Sequence, residues 1–80
     1  MTKPQASEIA CLRLLNHLRI TPAEAKVLSG IADGKRNHEI ASVLGISRRT
    51  VEKHVERILA KFDVETRTAA ASRFLELQQD

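Results

Sequence analysis

Between Lys35 and Lys61 the chain carries seven basic side chains, at positions 35, 36, 48, 49, 53, 57 and 61, against three glutamates, Glu39, Glu52 and Glu56. That stretch is therefore +4 (seven minus three), and because the whole 80-residue chain is +3, the remainder is −1. Cations gathered on one segment are the electrostatic footprint of a protein that meets nucleic-acid phosphate. A merely solvated helix face needs no such asymmetry. Other chemistries lack their residues. His17, His38, His54 and the single Cys11 have no zinc-finger or metalloprotease spacing. Gly30, Gly34 and Gly45 are scattered and form no phosphate loop, and Ser47 has no nucleophile's partners. Nothing calls for catalysis, a metal or a cofactor. One cysteine excludes an internal disulfide framework, suits a reducing compartment and reads as a small buried apolar residue.

The cations need elements to aim them. From Asn37, Ile40, Ala41 and Leu44 form one apolar stripe at helical spacing, and Gly45 falls where a helix end needs positive φ. Ser47 is a good N-cap for a second helix, in which Val51, Val55, Ile58 and Phe62 recur at steps of four, three and four. Small Ala41 allows close approach, Gly45 turns the chain and Val51 packs back between the two helices, as a helix-turn-helix requires. Upstream, Thr21-Pro22-Ala23-Glu24 is a helix start with a capping box and proline at the first turn. Ala25, Val27, Leu28, Ile31 and Ala32 supply that helix's buried face, and Asp33-Gly34 ends it. Lys35 and Arg36 then lie in a connection placed to touch a phosphate backbone. After an Asp63-Val64 turn, Thr66 caps a last helix to about Leu77, with Ala70, Phe74 and Leu77 docking on the bundle. Ala71 and Leu75 lie roughly 100° further round. They are either a dimer contact or the seat of the N-terminal helix.

Residues 1–6 read as a tail, and Ser7 to Leu18 as an amphipathic helix with Cys11, Leu14, Leu15 and Leu18 on one face and His17 on the solvated side. That helix would cover the core, meet a second subunit or link to an upstream domain. Phe62 and Phe74 are the only aromatics, so the core must come from Leu, Ile, Val and Ala. A chain this short buries somewhat more than ~60% of its unfolded surface. The expected class is all-α, in two parts: residues 1–19 as tail and helix or linker, residues 20–78 as the domain. With no signal peptide or membrane span in view, a cytoplasmic location is expected.

Taken together, Thr21-Pro22-Ala23-Glu24, Val27-Leu28, Gly34, Asn37-His38-Glu39-Ile40-Ala41, Leu44-Gly45-Ile46-Ser47, Thr50-Val51-Glu52-Lys53-His54-Val55, Ile58-Leu59, Lys61 and Thr66-Arg67-Thr68-Ala69-Ala70 resemble the LuxR/FixJ/NarL-type helix-turn-helix domain. The resemblance covers about residues 20 to 77. His54 is characteristic, since general helix-turn-helix patterns usually carry an apolar residue there. The resemblance implies a four-helix bundle, here with an additional N-terminal helix, that binds double-stranded DNA as a homodimer. Arg48 to Phe62 would enter the major groove, and Thr66 to Leu77 would supply the dimer contact. It also implies an upstream receiver or sensor domain, and RNA polymerase is a further expected partner. The sequence contains neither such domain, so it is expected to be a fragment or a stand-alone regulator. There are departures: Glu52 stands where the family often has Lys, Ala23 where it usually has Arg, and His38 where Lys is frequent.

On the outward face of the second helix, Arg49, Glu52, Lys53 and Glu56 are the expected base contacts, because a recognition helix reads bases mainly with its N-terminal half. Arg49 or Lys53 suits guanine O6/N7, and Glu52 and Glu56 suit cytosine amino groups. Ser47, Arg48, Thr50, Arg57 and Lys61, with Asn37 and His38, are expected on phosphates. His54 is expected between helices, and Arg67 is expected to pair with Glu24 or an acidic turn residue. Two rivals remain at this level. A sigma-factor-like promoter module, acting through RNA polymerase, shares the helix-turn-helix and a similar Thr-Pro-x-Glu entry but is disfavoured by His54. A helical protein-interaction module would use the Ser7–Leu18 stripe and the Ala71/Leu75 strip.

Overall fold

The structure is a computed structural model that describes Asn16 and residues 18–77. The expected tail, most of the Ser7–Leu18 helix, His17 and the side chain of Leu77 lie outside the described residues. Four helices follow in order: α1 Pro22–Ala32, α2 Asn37–Leu44, α3 Arg48–Phe62 and α4 Arg67–Leu77. No strand occurs among the described residues.

Local chemistry sets the boundaries. Thr21 Oγ1 accepts from the Glu24 N–H at 3.1 Å, and Glu24 Oε1 accepts from the Thr21 N–H at 3.0 Å, completing the capping box at α1. Ser47 Oγ accepts from the Thr50 N–H at 3.1 Å to start α3, and Thr66 Oγ1 accepts from the Ala69 N–H at 3.1 Å to start α4. Gly45 ends α2 at φ 68°, where the Ile46 N–H returns to Ala41 C=O at 3.1 Å. Asp63 ends α3 in the same left-handed region, at φ 55°, a conformation Asp tolerates better than most side chains. Arg73 Nη1 donates to the Phe62 carbonyl at 3.3 Å, satisfying one of the last acceptors of α3.

The four helices share one core. Val27, Leu28 and Ile31 of α1 meet Ile40 and Ala41 of α2, Val51, Ile58 and Phe62 of α3, and Ala70 and Phe74 of α4, with Ile20 closing one end. Helix α1 is the central member and packs on both α3 and α4, while α2 packs mainly on α3. Full burial of each large apolar side chain, such as Leu28, Ile58 or Phe62, is worth about 1.5–3 kcal/mol. The expected core is corrected at its margins. Ala25, Ala32, Leu44 and Val55 are only partly buried, because each sits at the edge of its helix's inward stripe. Ala71 likewise packs partly against the core, leaving Leu75, 44% exposed, as the open part of the expected strip.

Gly30 is a crossing point rather than an incidental intrahelical glycine. A Cβ there would lie 2.8 Å from Ile40 Cγ1 and 3.1 Å from its Cδ1, so the missing side chain is what lets α2 cross α1 closely. In Gly30→Ala, the gain in helix propensity of about 1 kcal/mol opposes an overpacking cost of about 1–3 kcal/mol against a buried β-branched neighbour. The expected result is a lower melting temperature and denaturation midpoint, read by circular dichroism; equal or higher stability would show that the crossing has room.

Candidate nucleic-acid interface

Helix α3 divides its residues by side. Val51, Ile58 and Phe62 are anchored in the core, so the opposite face is held rigidly outward. On it Arg49, Glu52, Lys53 and Glu56 are all exposed, at i, i+3, i+4 and i+7, and form one ridge along the helix. Arg48, Thr50 and Arg57 flank the ridge and are exposed as well. Ser47 and Thr50 also join through their hydroxyls at 2.8 Å, which fixes the approach to the helix. His54 is half-buried, with Nδ1 enclosed and no hydrogen-bond partner among the described residues, so it packs inward and is not part of the outward ridge.

At the start of α2, His38 is exposed and Asn37 half-buried. They lie in an open groove of about 630 Å³ whose lining includes Lys35, Arg36, Arg48 and Arg67. Helices α2, α3 and α4 all begin at this groove, so the positive ends of three helix dipoles add to the cations. Among the described residues no cluster of three or more His, Cys, Asp or Glu side chains is placed to hold a metal ion.

Two expected pairings change. Lys61 was expected on phosphate, but its Nζ donates to Glu24 Oε1 at 2.5 Å and to the Arg19 carbonyl at 2.8 Å. The ammonium compensates a carboxylate that is only 1% exposed, which removes Lys61 from the free cations. Arg67 was expected to pair with Glu24 or an acidic turn residue. It donates instead from Nη1 to Asn37 Oδ1 at 2.6 Å and from Nη2 to the Lys35 carbonyl at 3.1 Å. Both partners lie more than one helix away in sequence, and no local spacing announces either. No sequence signal would have found either pairing, because the burial of Glu24 that calls for a cation is itself a product of the fold.

With this geometry in place, the comparison with known proteins is decisive for family. The bacterial regulatory proteins of the luxR family (GerE) match residues 19–74. The chain belongs to that family. It is a helix-turn-helix DNA-binding domain of transcriptional regulators rather than an enzyme, and the sigma-factor-like reading gives way to it. Among its relatives is the uncharacterized transcriptional regulatory protein YhcZ of Bacillus subtilis, 49% identical over 55 residues, covering 69% of this chain and 26% of that protein. The transcriptional regulatory protein LiaR of the same organism is 46% identical over 57 residues, covering 71% and 27%. The nitrate/nitrite response regulator protein NarP of Escherichia coli is 44% identical over 57 residues, covering 71% and 26%. The chain thus spans about a quarter of the length of the curated relatives it matches. No solved structure matches it. Among the described residues no helix is long and apolar enough to cross a membrane.

The Glu24–Lys61 pair sets a pH dependence. Burial alone would push the Glu24 carboxyl up, but the hydrogen bonds from Lys61 and Thr21 and the Lys61 charge outweigh it and hold the group below its ordinary value. A depressed folded-state value means this pair's contribution is complete above the ordinary glutamate range and is lost as pH falls through the folded-state value. Lys61→Met leaves the buried carboxylate unpaired and should cost about 3 kcal/mol, the lower end of the range for broken buried pairs, because Lys61 retains some solvent contact. In urea titrations at several pH values, Glu24→Gln should flatten the acid limb of the stability curve. An unchanged acid limb would show that other carboxylates set it.

Proposed function

We propose that residues 20–78 form a sequence-specific domain that docks α3 in the major groove of double-stranded DNA and acts as a homodimer. The observation that carries this is the exposed ridge of Arg49, Glu52, Lys53 and Glu56 on a helix whose other side is locked in the core. Arg49 and Lys53 read guanine O6/N7, and Glu52 and Glu56 accept from cytosine amino groups. Asn37, His38, Ser47, Arg48, Thr50 and Arg57 hold the phosphates and set the register. The dimer forms through α4, with Leu75 as its exposed apolar centre and Ala71 beside it. Residues 1–19 serve as the tail and connection to an upstream receiver or sensor domain, a reading supported by the response-regulator name of the relative NarP. The regulator works in the cytoplasm and acts on RNA polymerase at the promoters it binds.

Titration against random-sequence duplex and against a site selected from a random library separates these roles. Lys53→Ala should lower affinity for the selected site by about 1–3 kcal/mol while leaving random-sequence binding nearly unchanged. Arg57→Ala should weaken both together and reduce the salt slope by about one. Equal effects of the two substitutions on both DNAs would refute the division between base and phosphate contacts. For the dimer, Leu75→Glu should lower the mass measured by light scattering on a single half-site duplex from two bound copies to one. An unchanged mass would exclude α4 as the contact.

A further inference from the structure

We propose that Arg19 is a two-state joint and that Lys61 of α3 is its latch, so that the direction in which the chain enters the domain is coupled to the seating of α3 on DNA. The inference rests on the reading of α3 as the docking helix and of residues 1–19 as a connection, and adds a physical route between the two.

Opposed forces meet at Arg19. Its φ of 57° places it in the left-handed region, where any residue with a Cβ carries a steric cost. Its N–H reaches the Asn16 carbonyl only at 3.4 Å, a long hydrogen bond that offsets little of that cost. Among the described residues the bend is held instead through the Arg19 carbonyl, which accepts from the Lys61 ammonium at 2.8 Å. A hydrogen bond from a charged donor and the strain of one left-handed residue are of similar size. Two states therefore lie close in free energy. In the latched state Arg19 is bent and its carbonyl rests on Lys61; in the released state Arg19 relaxes to negative φ and its carbonyl turns to water.

The latch can open without dismantling the domain. Lys61 holds two acceptors of unequal exposure: the Glu24 carboxylate is 1% exposed, whereas the bond to the Arg19 carbonyl lies at the surface. Water can replace the outer acceptor while the inner ion pair stays intact. The neighbours of Arg19 are anchored unequally as well. Ile20 is buried in the core, and Leu18 is only partly buried at its margin. Rotation at Arg19 thus swings the upstream side, where Asn16 and Leu18 are helical, and leaves α1 in place. Lys61 stands in the last turn of α3, on the same rigid helix as the ridge that ends at Glu56. In the latched state the end of that helix is tied both to α1 and to the entering chain; release removes the second tie. A pull on the upstream segment acts on α3 through this contact, and docking of α3 acts back on Arg19, because coupling between two sites is reciprocal. Lys61 is a positioning residue here and touches no DNA.

The test uses the full 80-residue chain. Spin labels go on Asn16→Cys and Thr68→Cys, both exposed positions, in a Cys11→Ala background, and double electron–electron resonance reads the distance between them. Affinity of the unlabelled chains for a short random-sequence duplex is measured by fluorescence anisotropy. Glu24→Gln with Lys61→Met removes the latch at constant net charge, so lost charge cannot explain a weaker complex. The wild type should show one dominant distance. The double variant should show a second distance and bind duplex about fivefold more weakly, the low end of coupling between sites. Adding Arg19→Gly to the double variant should recover part of both effects, because glycine takes positive φ without a tie. A merely structural ion pair would lower the melting temperature with no such rescue. Should the double variant fail to fold, Arg19→Pro, whose ring forbids positive φ, supplies the released state with Lys61 and Glu24 intact and should give the same second distance and weaker binding. An unchanged distance in the released variants overturns the joint. A second distance with wild-type affinity overturns its coupling to α3. Failure of the wild type itself to bind duplex even at low salt overturns the DNA reading and this one with it, a result distinct from variants that bind as well as a wild type that binds.

Discussion

Glu24 is a carboxylate placed where water does not reach it, at 1% exposure, and the structure around it is arranged to keep it charged. It accepts the Thr21 N–H at the start of α1 and the ammonium of Lys61 near the end of α3, while the same ammonium reaches the Arg19 carbonyl. Three pieces of chain that are distant in sequence meet in that cluster. An isolated buried charge would be costly, so the pair requires α1 and α3 to be packed in one relative position. Arg19 takes φ 57° at this junction, a backbone conformation uncommon outside glycine, so the chain enters the domain through a bend held by Lys61.

That fixed packing is what gives α3 a function. A helix with alternating apolar and charged residues can lie in many orientations on a soft surface. Here Val51, Ile58 and Phe62 are buried against α1 and its neighbours, and the ridge from Arg49 to Glu56 is left outward as a consequence. The cations do not all serve one end. Lys61 is used inside the protein, Arg67 joins two helix starts, and Arg48, Arg49, Lys53 and Arg57 remain on the surface. A count of positive charge along the chain does not distinguish these three uses.

Much of the fold was legible because its signals are local. A hydroxyl before a periodic segment, a proline in a first turn, a glycine after a last one and apolar residues at steps of three and four depend on neighbours within about one helical turn. Thr21, Ser47, Thr66 and Gly45 therefore stand where their types predicted. The outward ridge of α3 was legible for the same reason, as the complement of its buried stripe. Less legible were Ala25, Ala32 and Val55, because periodicity gives a direction of burial but not its depth, which depends on how closely the next helix approaches.

The sequence by itself determined the number and ends of the described helices, the turn between α2 and α3, the direction in which each apolar stripe faces and the family to which the chain belongs. Only the tertiary structure decided which partner each long polar side chain takes. Lys61 meets Glu24 across 37 positions and Arg67 meets Asn37 across 30, and Gly30 owes its lack of a side chain to Ile40 on another helix. The reason is physical: a backbone cap is satisfied within its own turn, whereas a buried charge, a guanidinium fork or a helix crossing is satisfied by whatever the folded chain brings within a few ångströms.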